Sequence, residues 1–307
     1  MSENGTPTPR VVLVDGVPMS GLLAVPAAGV APLAVVVAIH GGATTGAYFD
    51  CPGHPHLSLL RLGARLGFTV IALDRPGFGS SALYAEEFTD PARRTEMAYA
   101  AIDAILGDRD RGAGLFVLAH SNGTELALRL AADPNRADDL LGIEISGTGL
   151  RQQEAAAAVL STASITNVPT GLRELLWEPA QMYPDGIAGA VRVKAGPISP
   201  GYEAGLVSSW ASVITELAAR VRVPVRYALA EFERVWSVDD AAVQTVVGLF
   251  AAAPQVRTAT KIHGGHNLSL GHTAAAYHLS ALSFAEECRV RSTLRARATT
   301  DFSMEGT

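Results

Sequence analysis

A serine between a strand and a helix is the residue in this sequence best placed to act as a nucleophile. Residues 115–119 form an apolar run with the length and composition of a buried strand, and residues 124–132 carry apolar side chains on one helical face. The turn at 120–123 places Ser121 at its apex and lifts the hydroxyl clear of the backbone. We interpret this segment as a nucleophile elbow.

The start of the following helix offers a binding place for negative charge beside Ser121. The first amides of a helix have no partner within it, and the helix dipole favours an anion there. We therefore expect the N–H of Asn122 to bind an oxyanion that forms when Ser121 attacks a carbonyl carbon. The segment 119–123 reads A-H-S-N-G, whereas the usual motif is G-x-S-x-G; its first position needs only a small side chain, which Ala119 supplies.

Apolar strands alternate with helices on both sides of this turn. Because the strands are apolar along nearly their whole length, they indicate an α/β fold with a mostly parallel sheet covered by helices on both faces. A β-hairpin across Asp15-Gly16 is expected to precede them. The predicted strands lie at 11–14, 21–25, 33–39, 69–73, 115–119, 140–145, 223–230 and 256–262, and the predicted helices at 55–66, 91–106, 124–132, 238–252 and 272–287.

The alternation lapses between residues 150 and 222, which are mostly helix-compatible but are interrupted by prolines. We assign 1–149 and 223–290 to the core. We assign 150–222 to a helical cap inserted above the carboxyl ends of the strands, where α/β sheets bind ligands. Residues 291–307 are polar and are predicted to form a disordered tail.

Composition and charge restrict the class of protein and of partner. The 307 residues are 48% hydrophobic, which is enough for one large core with an inserted subdomain. The net charge of −6 and the lack of a basic cluster argue against a nucleic-acid partner. The longest apolar run, 33–39, is too short to span a membrane, and from the polar start of the chain we expect no secretory signal. We expect a cytoplasmic protein with a small-molecule substrate and no membrane partner.

The cysteines and histidines do not form a metal site. Cys51 and Cys288 lie far apart in the sequence, which fits a reducing compartment, and they match no metal-ligand spacing. His54 and His56 beside Cys51 resemble part of a zinc site but lack a fourth ligand. We predict neither a metal nor a cofactor.

Four motifs, in this order along the chain, resemble those of the α/β-hydrolase superfamily. The H-G-G at 40–42 is similar to the family's oxyanion loop, and D-R-P-G-F-G-S-S at 74–81 to its D-x-x-G-x-G-x-S loop. The segment 119–123 resembles the elbow, and G-H at 265–266 the loop of the catalytic histidine. The resemblance covers most of the chain outside the predicted cap, and it implies the α/β-hydrolase fold.

The resemblance implies a catalytic triad in the chain order serine, acid, histidine. Ser121 is the implied nucleophile, and His266, in a glycine-rich loop after the last predicted strand, is the implied base. The register after the strand at 223–230 places Glu233 at the family's acid position. The backbone N–H groups of Gly42 and Asn122 are implied to form the oxyanion hole.

Alternatives stay open at two of these positions. Glu231 is the second choice for the acid, because Glu233 could be a surface carboxylate instead. The N–H of Ala43 could replace that of its neighbour in the oxyanion hole. The less favoured acids are Glu144 and Asp239.

These residues predict a serine hydrolase that cleaves an ester, thioester or lactone. The alternative is an acyltransferase or cyclase with the same triad, and a non-catalytic binding protein on this fold is less favoured because the triad is intact. The large side chains of the predicted cap, Trp177, Tyr183 and Trp210, are expected to contact the substrate. Six basic and six acidic residues in 150–222 leave no charge bias, which favours a neutral, apolar substrate. The sequence leaves the oligomeric state open.

Overall fold

A computed structural model describes residues 5–162, 169–191 and 200–304 of the chain. Its sheet has eight strands in the order β1-β2-β4-β3-β5-β6-β7-β8. Strands β3 to β8 are parallel, and β1 and β2 are antiparallel to their neighbours. The strands are β1 (Thr8–Val14), β2 (Val17–Ala24), β3 (Val35–Ile39), β4 (Thr69–Leu73), β5 (Leu115–His120), β6 (Leu140–Ser146), β7 (Val225–Phe232) and β8 (Val256–Gly265).

Helices cover both faces of this sheet, as the alternating pattern predicts. Every residue of β3, β4, β5 and β6 is buried, which accounts for their unbroken apolar sequences. The α-helices are α1 (Leu59–Arg65), α2 (Pro91–Leu106), α3 (Gly123–Ala132), α4 (Glu154–Leu160), α5 (Leu172–Trp177), α6 (Ile187–Ala190), α7 (Tyr202–Ala218), α8 (Asp240–Leu249) and α9 (Ala274–Met304).

Local sequence signals set several of these boundaries. The predicted hairpin is confirmed: Val14 pairs with Val17 across Asp15 and Gly16, which have φ of 49° and 81° as a tight turn with two left-handed residues requires. Helix α2 begins at the predicted proline, and the Asp90 side chain caps it by accepting a hydrogen bond from an amide of its first turn.

Helix α7 belongs to the layer that covers the sheet, although the sequence analysis included it in the cap at 150–222. It packs against α3, and its side chains Trp210, Ile214 and Leu217 are buried in the main hydrophobic core. Its apolar spacing is typical both of a core helix and of a cap helix, so only the tertiary packing distinguishes them. The rest of the insertion contains the short helices α4, α5 and α6, and its residues 163–168 and 192–199 lie outside the described part of the chain.

The chain after residue 290 also differs from the predicted disordered tail at 291–307. Helix α9 continues to Met304, and residues 305–307 lie outside the described part. Alanine, arginine and leucine in this stretch have high helix propensity, which favours a helix although the segment is polar. Among the described residues, no helix combines the length and apolar character needed to cross a membrane.

Candidate active site

The backbone at Ser121 has the strained geometry of a nucleophile elbow. Strand β5 ends at His120 and α3 begins at Gly123, so two residues make the whole turn. Ser121 has φ of 52°, a left-handed value that a residue with a side chain adopts only when its surroundings enforce it. Its N–H donates to the carbonyl oxygen of Ser146 at 2.8 Å, which ties the turn to the end of β6.

The space available for a side chain differs between Gly123 and Ala119, the two small residues of the A-H-S-N-G motif. A Cβ on Gly123 would lie 2.5 Å from the carbonyl oxygen of His40 and 2.6 Å from that of Ile39, so α3 can approach β3 this closely only with glycine. Ala119 is fully buried in the core, and its methyl group is accommodated there. The departure from G-x-S-x-G at the first position is therefore compatible with the elbow.

His266 and Glu233 form a buried pair at the carboxyl edge of the sheet. The Nδ1 atom of His266 lies 2.9 Å from Oε1 and 3.0 Å from Oε2 of Glu233, and the side chains are only 2% and 3% exposed. Oε1 also accepts a hydrogen bond from the N–H of Val235 at 2.8 Å. Because a carboxylate can only accept, the imidazole carries its proton on Nδ1 and leaves Nε2 free to accept one.

The other candidate acids occupy different environments. Glu231 is exposed, and its carboxylate accepts a hydrogen bond from the N–H of His263 at 2.7 Å. Glu144 is fully buried in an ion pair with Arg226 at 2.8 Å. Asp239 caps α8 from the surface. Glu233 is thus the carboxylate that contacts His266.

The imidazole of His266 contacts the ring of His120, the residue before Ser121. The ring of His120 contacts the ring of His266 edge-on, with centroids 4.9 Å apart, and stacks on Tyr48 at 4.7 Å. Burial and the neighbouring His266 hold the pKa of His120 well below its usual range. The neutral His120 ring therefore places no positive charge beside His266.

The loop at 40–42 lies directly against the turn at Ser121 and Asn122. A Cβ on Gly41 would be 3.0 Å from Cβ of Ser121, and one on Gly42 would be 3.2 Å from Nδ2 of Asn122. Ala43, the alternative donor, has φ of 57°. Glycine at both positions lets the backbone approach Ser121 and Asn122 this closely.

Comparison with known families and structures adds to this geometry. A family model described as "Alpha/beta hydrolase family" matches residues 36–281. The chain belongs to the alpha/beta hydrolase family. Comparison with curated protein sequences gives no match.

Solved structures similar to this alpha/beta hydrolase share its fold at low sequence identity. A thioesterase domain from the curacin biosynthetic pathway is 19% identical with a TM-score of 0.57, covering 90% of this chain and 99% of its own. A thermostable carboxyl esterase from Bacillus coagulans is 16% identical with a TM-score of 0.62 and coverages of 92% and 99%. An N-acyl homoserine lactonase complexed with N-hexanoyl homoserine is also 16% identical, with a TM-score of 0.62 and coverages of 92% and 98%.

The three aromatic residues expected to contact substrate differ in their surroundings. Trp210 is 7% exposed, and its Nε1 donates to the carbonyl oxygen of Gly149 at 2.7 Å. Tyr183 is 6% exposed, and its hydroxyl accepts the N–H of Asn267, next to His266, at 3.1 Å. Trp177 is half-buried and packs edge-on against Tyr183. Trp210 and Tyr183 therefore hold elements together, and Trp177 has the most exposed ring of the three.

The sequence did not indicate several residues that lie around His266, Glu233 and the loop at 40–42. Tyr48 stacks on His120, and Gln153 donates to the carbonyl oxygen of Glu233 at 2.7 Å. Arg75 and Glu203 form a buried ion pair beside the oxyanion loop. The only available signal was the position of Arg75 inside the D-R-P-G motif, since its partner is 128 residues away. Among the described residues, no cluster of three or more acidic, histidine or cysteine side chains could hold a metal ion.

Proposed function

We propose that this protein is a serine hydrolase that cleaves an ester, thioester or lactone of an apolar small molecule through an acyl-enzyme. The observation that carries the proposal is the buried contact of Glu233 with Nδ1 of His266, whose ring contacts that of His120, the residue before the strained Ser121. A buried carboxylate that orients a histidine toward a serine hydroxyl is the arrangement that activates a serine for acyl transfer.

In the proposed reaction, Nε2 of His266 takes the proton of Ser121 while Oγ bonds to the carbonyl carbon. The electron pair of the carbonyl moves to its oxygen, and the N–H groups of Gly42 and Asn122 stabilise this oxyanion. Collapse of the intermediate breaks the bond to the alcohol or thiol, which leaves with the proton from His266. Glu233 stabilises the imidazolium during both transfers.

Deacylation repeats these steps with water as the nucleophile. His266 takes a proton from water, the hydroxide adds to the acyl carbon, and Ser121 leaves with the proton returned to Oγ. The products are a carboxylic acid and an alcohol or thiol. No step requires a metal or an organic cofactor.

Substrate class is proposed from the cap and from similar structures. The described residues before α7 include Trp177 and Tyr183, whose rings pack near the loop of His266. Apolar side chains around a few polar groups suit a neutral acyl substrate. The similar thioesterase, esterase and lactonase structures are named for reactions in this class.

Transfer of the acyl group to an alcohol or amine is the second candidate. The similarity to a thioesterase domain from a biosynthetic pathway, which covers 90% of this chain, supports acyl transfer as the second candidate. The same acyl-enzyme would form, and the acceptor at deacylation would decide the product.

Product analysis with a panel of acyl substrates tests both proposals. The panel contains p-nitrophenyl esters, N-acetylcysteamine thioesters and acyl lactones of increasing chain length, each with and without added amines or alcohols. We expect free acid as the main product and a loss of kcat of about 10⁴–10⁶-fold in folded Ser121→Ala. An acyl-amine or a new ester as the main product would favour transfer, and equal turnover by Ser121→Ala would refute the mechanism.

A further inference from the structure

Arg75 is a buried cation that joins the oxyanion loop to helix α7. The residue is 2% exposed, and its Nη2 donates to the carbonyl oxygen of Gly41 at 2.8 Å and to Oε1 of Glu203 at 2.5 Å. Its backbone N–H donates to Nε2 of His40 at 3.1 Å. Arg75 thus contacts both residues that precede Gly42 and one residue of α7.

The contacts of the Gly41 carbonyl set the direction of the Gly42 N–H. His40 accepts at Nε2, so its proton is on Nδ1, which donates to the Gly41 oxygen at 2.7 Å. With Arg75, this oxygen has two donors. The Gly41–Gly42 peptide is trans, so the N–H of Gly42 points in the opposite direction from that oxygen, away from Arg75. Two donors on the carbonyl also polarise the peptide unit and make its N–H a stronger donor.

Glu203 occupies a place where an unpaired carboxylate would oppose the reaction. It is 5% exposed, and its Oε2 lies 3.5 Å from the position a Cβ on Gly42 would take. A negative charge this close to the oxyanion hole would repel the negative charge that forms there. The guanidinium of Arg75 neutralises it, while Glu203 in turn fixes the guanidinium against Gly41.

The start of α7 is held in place by contacts other than this ion pair. The hydroxyl of Tyr202 donates to the carbonyl oxygen of Pro76 at 2.9 Å. The guanidinium of Arg94 lies over the Tyr202 ring at 4.2 Å and donates to Glu125 of α3 at 2.8 Å. The docking of α7 and the Arg75–Glu203 pair can therefore be changed separately.

We infer that Arg75, held by Glu203, is a positioning residue that aims the Gly42 N–H into the oxyanion hole, so that this ion pair supports transition-state stabilisation. This inference deepens the proposed function and rests on it. Arg75 and Glu203 act through the Gly41 carbonyl and do not touch the reacting atoms. Loss of Arg75 and Glu203 should lower kcat and leave KM nearly unchanged. The reason is that the N–H of Gly42 binds the oxyanion of the transition state more strongly than it binds the carbonyl oxygen of the substrate.

The test removes the pair as a unit. Arg75→Met alone would leave Glu203 buried and unpaired and could unfold the protein, whereas Arg75→Met/Glu203→Leu replaces both charges with apolar side chains, a change that buried pairs often tolerate. We expect the double variant to be folded and its kcat to fall by about ten- to a hundred-fold. That loss is smaller than the 10²–10³ seen when an oxyanion-hole donor itself is removed. Tyr202→Phe loosens the same end of α7 without touching Gly41, and its kcat should stay within about threefold of wild type.

NMR spectroscopy measures the chemical shift of the Gly41 carbonyl carbon and does not require turnover. The sequence has only two Gly-Gly pairs, Gly41-Gly42 and Gly264-Gly265. In protein grown with glycine labelled with ¹³C at the carbonyl and with ¹⁵N, these pairs alone give one-bond carbon–nitrogen correlations. The double variant should move the Gly41 carbonyl to lower frequency and leave the Gly264 signal in place, and Tyr202→Phe should move neither.

The outcomes separate this inference from the proposed function. An unmoved Gly41 signal with unchanged kcat would make Arg75 and Glu203 a structural pair only and overturn the inference. If wild-type protein turns over no acyl substrate, the proposed hydrolase function fails, and the Gly41 signal still decides whether Arg75 positions the loop. A parallel loss of kcat in Tyr202→Phe would mean that general loosening of α7 is responsible, which also contradicts the inference.

Discussion

Both carboxylate oxygens of Glu233 lie within hydrogen-bond distance of one nitrogen, Nδ1 of His266, at 2.9 and 3.0 Å. Glu231, two residues earlier, is exposed and instead accepts a hydrogen bond from the N–H of His263. Regular alternation would place residues 231 and 233 on the same face, but β7 has a register shift between Ala230 and Phe232 and ends at Phe232, before Glu233. A group that orients the imidazole and stabilises its cation must be the buried one.

Glutamine substitutions test this assignment. Glu233→Gln should lower kcat by about 10²–10⁴-fold, because an amide cannot stabilise the imidazolium as a carboxylate does. Glu231→Gln is the matched control and should cost less than about tenfold. Steady-state kinetics on the same ester would measure both, and the reverse order would move the acid to Glu231.

The sequence predicted local features of the site better than long-range ones. Ser121 could be located because a strand, a turn and a helix follow one another within 115–132, and each has a local signal. The pair of Arg75 and Glu203 could not be predicted, since the two residues meet only after α7 packs on the core. The same cause explains why α7 was assigned to the cap: its apolar face is visible in the sequence, but the surface it covers is not.

Glycine at position 123 should be essential for folding, unlike an exposed glycine in another helix. Gly123→Ala would place a methyl group 2.5 Å from the carbonyl oxygen of His40, so α3 must move away from β3. We expect a loss of several kcal/mol, at the large end of the effects of single substitutions. Gly248→Ala in α8 meets nothing within 4 Å and should stabilise the protein by about 0.5–1 kcal/mol. Urea denaturation would compare them, and equal effects would contradict the close approach of α3.

The aromatic residues of 150–222 should separate into packing and specificity roles. Trp210→Ala should lower stability by about 3–5 kcal/mol without changing the preferred acyl length, because this ring is buried in the core. Trp177→Ala should change the preferred acyl length with little loss of melting temperature. Tyr183→Ala is expected to affect both, since its hydroxyl contacts Asn267. If none of the three alters the preference, specificity arises outside these residues.

The buried histidine of α9 should make stability depend on pH. His278 is fully buried, neither ring nitrogen has a hydrogen-bond partner within the described chain, and burial lowers its pKa to about 3. The unfolded chain binds a proton near pH 6.5 that the folded protein does not, so this contribution is complete above that pH and is lost as pH falls toward 3.

Replacement of that histidine by leucine removes the titrating group. Between pH 7 and 5, wild-type protein should lose about 2 kcal/mol more unfolding free energy than His278→Leu. Other buried histidines, such as His40 and His120, contribute equally to both proteins. Urea unfolding curves at several pH values would measure the difference, and parallel pH profiles would show that His278 is not buried as a neutral ring.

Covalent labelling of Ser121 tests the central claim most directly. A fluorophosphonate reacts with a serine that has been activated by a histidine and forms a stable tetrahedral adduct, so it requires no knowledge of the natural substrate. We predict one label per chain, mapped by peptide mass spectrometry to Ser121, absent from folded Ser121→Ala and slowed by at least about 10³-fold in His266→Ala. Folded wild-type protein that takes up no label, or that is labelled as fast in Ser121→Ala or His266→Ala, would contradict the account.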